Sequence, residues 1–102
     1  MIGRKMMNKS IINVQALWDH EAQVWVASSD DVPGLITEAE TTELLFEKLK
    51  ILIPELLEAN GILAKDEYVD IPLNLLSRRG RAYKSESTLN GRLRSRSEEN
   101  SD

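Results

Sequence analysis

Asp30-Asp31-Val32-Pro33-Gly34-Leu35 is the pivot of this chain, and it lies inside the longer stretch from Trp25 to Gly61 whose reading decides the fold. Pro33 fixes its own φ and Gly34 takes positive φ at little cost, so Pro-Gly reads as the central pair of a tight turn. The two aspartates ahead of it solvate the turn. Before the pivot, Val24-Trp25-Val26-Ala27-Ser28 has strand character. After it come a short second run, Leu35-Ile36-Thr37, and one long apolar helix. Thr41 or Thr42 caps that helix, and Glu43 in its first turn suits the macrodipole. Leu45, Leu49, Leu52, Ile53, Leu56 and Leu57 recur at helical spacing and form one wide stripe. Leu44 and Ile51 fall off it, on a flank open to a partner. Pro54 removes a hydrogen bond inside the helix, which predicts a kink or a break into two pieces. Asn60-Gly61 is a left-handed helix stop.

Ahead of this unit, Ile12, Val14, Ala16 and Trp18 alternate with polar residues and read as a strand, broken by Asp19-His20-Glu21-Ala22. The two strands make an antiparallel hairpin with a loop of about two to four residues. A two-residue loop places Trp25 and Ala27 beside Val14 and Ala16; a three-residue loop places Val24 and Val26 there. With either register, apolar side chains fall on both faces, because Ile11 and Leu17 lie opposite Val14. One helix covers one face, so the surplus points to an intermolecular contact. Beyond the helix, Val69, Ile71 and Leu73 alternate within Tyr68–Leu73, and Pro72 assigns that strand to a sheet edge. The helical crossover allows it to lie parallel to the first strand. The expected fold is α+β, ordered β-β-β-α-β: a three-stranded antiparallel sheet, one kinked helix and a parallel edge strand.

The 102-residue chain reads as one domain over residues 10–76, between a flexible start at 1–9 and a disordered basic tail at 77–102. From Ser77 onward seven basic and four acidic side chains give +3, leaving −7 for the remainder of a chain whose net charge is −4. An acidic body repels nucleic acid, whereas a basic tail attracts it. With so little apolar content, the tail is expected to be dispensable, so that a chain ending at Leu76 keeps its stability. The absence of cysteine excludes disulfides and thiolate chemistry, and a lone His20 excludes a multi-histidine zinc site. No apolar run is long enough to span a bilayer and the start lacks the core of a signal peptide, so a cytoplasmic protein is the expectation. Asn8-Lys9-Ser10 matches a glycosylation triplet, which means little without secretion. There are no internal repeats.

No phosphate loop, nucleophile elbow or metal-ligand cluster is legible, and neither cofactor nor metal is expected. A hairpin, third strand, helix and parallel fourth strand resembles the first half of a ribonuclease H fold, whose nucleases hold magnesium with carboxylates. Asp19, Glu47 and Asp70 are the candidates here. Asp19, however, lies at the far end of its strand, and the mid-strand positions are Val14 and Ala16. Solvated turn and helix-face acids account for all three, so no enzyme is expected. Trp18 and Trp25 read as packing anchors more readily than as a base-stacking platform. Arg78, Arg79, Arg81, Arg92, Arg94 and Arg96 are the candidate nucleic-acid contacts, set against the plainer reading of a solvated terminus.

From Trp25 through Asp31, Pro33, Gly34 and Leu35, the chain resembles the N-terminal domain of HicB-like antitoxins. The family pattern is an aromatic, a small apolar pair, Asp, an aliphatic, Pro-Gly and a threonine-led helix. Trp25, Ala27, Asp31, Pro33, Gly34, Thr37, Thr41 and Glu43 carry it, and Pro54 and Asn60-Gly61 are similar to a small uncharacterised HicB-like subfamily. Ala39 stands where the family usually has glycine, and the tail is too short for the DNA-binding domain many members carry. The resemblance implies a partial ribonuclease H fold without nuclease activity that oligomerises and binds a small basic toxin ribonuclease. The expectation is a non-enzymatic protein-interaction module: an antitoxin-like inhibitor and homodimer, with Leu17, Val24, Val26, Leu44 and Ile51 at its interfaces. The alternative is a nucleic-acid-binding accessory protein acting through the tail.

Overall fold

The computed structural model describes residues 11–63, 70–79 and 86–94. In chain order these form β1 (Ile12–Asp19), β2 (Val24–Ser28), β3 (Ile36–Ala39), α1 (Thr42–Ala59), β4 (Asp70–Arg78) and β5 (Glu86–Arg94). The strands make one mixed sheet of five, ordered β3-β2-β1-β4-β5. β1 pairs antiparallel with β2 and parallel with β4, and β2–β3 and β4–β5 are antiparallel. The α+β class is as expected, but the sheet is larger.

The hairpin loop between β1 and β2 has four residues, His20 to Gln23, because Asp19 pairs with Val24. An even count sets Trp25 and Ala27 on the face of Val14 and Ala16, as in the two-residue alternative. Asp19 organises this loop: its Oδ1 accepts from the backbone N–H of Glu21 and Ala22, and its carbonyl accepts from Gln23. Gln23 closes the turn at φ +62°.

The pivot folds as read. The N–H of Leu35 donates to the Val32 carbonyl at 3.2 Å across Pro33 and Gly34, with Gly34 at φ +84°. Asp31 does more than solvate: its carboxylate accepts from the Asn13 N–H at 2.9 Å and ties the turn to the start of β1. Ser29 Oγ donates to the Asn13 carbonyl beside it.

Thr41 is the helix cap, its hydroxyl accepting from the Leu44 N–H at 3.0 Å. At the other end Gly61 takes φ +74°, and the N–H groups of Gly61 and Ile62 close on the carbonyls of Glu58 and Leu57. That pattern satisfies carbonyls the helix leaves orphaned. Of the two outcomes expected at Pro54, a kink or a break, the break does not occur, and α1 runs as one element of 18 residues. Buried Leu45 and Leu49 before Pro54, and Ile53 and Leu57 around it, hold both halves to the same sheet face. That burial offsets one forfeited hydrogen bond.

Two expectations about the C-terminal part need correction. β4 is not an edge: it extends to Arg78, with β1 on one side and β5 on the other. Pro72 is tolerated because the β1 ladder begins one residue later, at Leu73 opposite Ile12. The disorder expected from Ser77 onward fails over Glu86–Arg94, which forms the outer strand β5. There Leu93 is fully buried, Leu89 is half-buried, and the Phe46 ring lies against Gly91. The triplet at Asn8 and strand positions Tyr68 and Val69 lie outside the described residues.

Candidate functional site

The helix covers one face of the sheet. Ile12, Val14 and Ala16 of β1, Ala27 of β2 and Leu73, Leu75 and Ser77 of β4 are buried beneath it. Strand alternation therefore turns Leu17, Val26, Ile36 and Leu76 to the opposite face, which is helix-free among the described residues. Leu17 is 56% exposed and Ile36 69%. With Gln15, Ser28 and Arg78 they line a trough of about 260 Å³.

A second surface lies where the edge strand β3 meets α1. Val24, Ala39, Leu44 and Ile51 supply its apolar lining, with Leu44 53% and Ile51 62% exposed. This groove, about 490 Å³, is also lined by Glu38, Glu40 and Glu47 against a single cation, Lys48. The Lys48 ammonium is itself committed to the Glu38 carbonyl at 2.7 Å. Glu47 holds Lys50 at 3.2 Å one helical turn on. The result is an apolar slot with an acidic rim.

The interface candidates Leu17 and Val26 thus share the trough, and Val24, Leu44 and Ile51 share the groove. Ile36, Leu76 and the glutamate rim were missed. Ile36 and Leu76 follow from the parity of β3 and β4, which the sequence does not fix before the register is known. The motif residues Asp31, Pro33 and Gly34 form the turn, and Asn60 Nδ2 donates to the Pro33 carbonyl, joining it to the helix stop at Gly61. These positions shape the frame and line neither surface.

The arginines do not form a free cationic patch among the described residues. Arg78 Nε donates to Glu86 at 3.1 Å across β4 and β5. Arg92 Nε donates to Asp70 at 2.6 Å, with Arg94 at 3.9 Å from the same oxygen. The hydrogen bond from Arg92 holds the Asp70 carboxyl below its ordinary range, and the nearby charges of Arg92 and Arg94 add to that. The guanidinium of Arg79 lies 4.5 Å from the Trp18 ring centroid and 5.6 Å from that of Trp25. The indoles meet edge to face at 5.2 Å, so each stacks on the other and on a cation of its own chain. Arg81 and Arg96 lie outside the described residues.

Asp19, Glu47 and Asp70 are not brought together. The parallel register places Asp70 beyond the start of β1, whereas Asp19 ends it, and Glu47 lies on the helix. Among the described residues no group of three or more metal-ligating side chains is assembled, and no helix is long and apolar enough to cross a membrane.

Residues 11–84 match a family model described as a domain of unknown function, DUF1902, and the chain belongs to that family. It is also similar to a hypothetical protein from the extremely thermophilic bacterium Thermus thermophilus, known from a crystal structure. The two are 52% identical, with a TM-score of 0.54, over 70% of this chain and 93% of that one. No curated protein matches.

Proposed function

We propose that this protein is a non-enzymatic interaction module, and that the groove between β3 and α1 receives a basic protein partner. The observation that carries this reading is the pairing of exposed Leu44 and Ile51 with Glu38, Glu40 and Glu47 around one slot. Desolvated apolar anchors supply affinity, while an acidic rim selects and steers a basic partner. β3 is also a short strand at the edge of the described sheet, to which an extended segment can add. The resemblance to HicB-like antitoxins gives the partner a class: a small basic toxin ribonuclease, inhibited by occlusion of its RNA-binding surface. Self-association belongs to the same reading. The nucleic-acid alternative draws less support, because Arg78 and Arg92 already hold carboxylates and Arg79 lies over the tryptophans.

The test starts from the adjacent reading frame, where a short basic protein is expected. Mixed with the full chain, it should bind, and its RNA cleavage should fall in proportion to occupancy. Leu44→Glu and Glu47→Lys should each weaken binding by about tenfold or more, as loss of a central anchor does. Binding indifferent to both substitutions would move the site off the groove. No binding at all would overturn the reading.

A further inference from the structure

The strand register sorts the helix-free face into rows. One row across β4, β1, β2 and β3 reads Arg78, Leu17, Val26, Glu38. The next reads Leu76, Gln15, Ser28, Ile36. Each row is a palindrome in chemistry about the line between β1 and β2. The first has opposite charges outside and apolar side chains inside; the second has apolar side chains outside and hydrogen-bonding ones inside. Nothing in the packing of the chain against its own helix requires this order, because α1 lies on the other face.

We propose that this face is occupied by a second copy of the chain, about a two-fold axis parallel to the strands and midway between β1 and β2. The inference deepens the interaction-module reading and rests on it. Turning one sheet about that axis onto another brings Arg78 over Glu38 of the other copy and Leu17 over Val26. It also brings Leu76 over Ile36 and Gln15 over Ser28. Every contact in both rows is then matched. The competing placements fail on the same residues. An axis across the strands, between the rows, sets Arg78 on Leu76 and Glu38 on Ile36, burying charge against hydrocarbon. An axis across the strands through the first row sets Arg78 on Arg78 and Glu38 on Glu38. The face therefore selects one orientation.

Sheets packed face to face cross at about 30°, so contacts near the axis persist while outer ones diverge. The two rows are neighbours and straddle that axis. Arg78 spends its Nε on Glu86 and retains the other donors of its guanidinium for Glu38 of the second copy. A two-fold interface uses each pair twice, so one substitution acts at two places.

The experiment is sedimentation equilibrium of the full chain, with thermal unfolding as the control for folding. The wild type should be a dimer well above micromolar concentration. Glu38→Arg and Arg78→Glu should each weaken self-association by about tenfold or more, since like charges then face each other. An equimolar mixture of those two variants should form a heterodimer, because each then meets its opposite. Arg78→Glu also faces Glu86 of its own strand pair. Should it unfold, Leu17→Glu, at an exposed site, gives the same readout and should be a folded monomer. A monomeric wild type overturns the proposal, and so does a dimer unaffected by Glu38→Arg and Leu17→Glu. The two readings share Glu38 and are separated by Leu17 and Leu44, each of which lines one surface alone. A monomeric Leu17→Glu chain that still takes up the basic partner leaves the groove standing. A dimeric Leu44→Glu chain that does not leaves the two-fold standing.

Discussion

A side chain added at Gly91 would meet Phe46 Cζ at 2.7 Å and Cε2 at 2.8 Å, closer than real Cβ atoms approach. The obstacle is a buried ring, not the free end of a flexible chain, so the ring or the strand must shift. Gly91→Ala should therefore cost about 1–3 kcal/mol as an overpacked site, read as a lower melting temperature. An unchanged melting temperature would mean that the ring moves freely. Gly91 also explains why its strand is hard to read. On the helix side β5 presents Ser87, Leu89, Gly91 and Leu93, and the apolar group missing at the third position is supplied by Phe46 of α1. Alternation is complete in space and incomplete in sequence. By contrast Pro33, Gly34, Asn60 and Gly61 are legible from local chemistry alone, because a positive φ or a fixed one needs no distant neighbour.

The elements divide the same way. β1, β2 and α1 carry their own period, and their existence and order follow from it, whereas the face that β2 turns to Val14 follows only from the hairpin register. Nor does the continuity of α1 through Pro54 follow from its period, because it depends on burial on both sides. β5 is fastened to β4 partly by charge: Asp70 with Arg92 and Arg94 at one end, Arg78 with Glu86 at the other. The Asp70 carboxyl is held below its ordinary range by the Arg92 hydrogen bond. A depressed carboxyl pKa contributes stability above the pKa of the unfolded chain, and that contribution is lost as pH falls through the folded value. Asp70→Asn should accordingly lower the melting temperature at neutral pH. The gap from wild type should close as pH drops below the ordinary aspartate range. A gap that is constant with pH would show that the charge on Asp70 does not fasten the strand.

For the whole molecule, the polar composition after Ser77 misleads, since a strand at a sheet edge needs few apolar residues and benefits from charged ones. A chain ending at Leu76 should not keep its stability. It loses buried Leu93, half-buried Leu89 and the surface on which Phe46 rests. Leucine burial of about 1.5–3 kcal/mol apiece makes the expected loss about 3–5 kcal/mol, a large share of what a domain this size has. Thermal unfolding of the truncated chain checks this, and an unchanged midpoint would remove β5 from the cooperative unit. The two apolar surfaces were legible as a surplus of hydrophobic side chains at Leu17, Val26, Leu44 and Ile51. Their assignment to a trough and a groove was not, because it needs the register of four strands. One further consequence follows from strand polarity. β1 starts where β4 starts, and β5 returns antiparallel to β4, so the chain enters at Ile12 and leaves at Arg94 at the same pole. The hairpin loop, the helix cap and the mouth of the groove by Val24 and Glu40 lie at the other. A fluorophore placed at Ile11 or Arg94 thus sits at the end of the sheet remote from Val24 and Glu40, so it reports on the molecule without touching the groove.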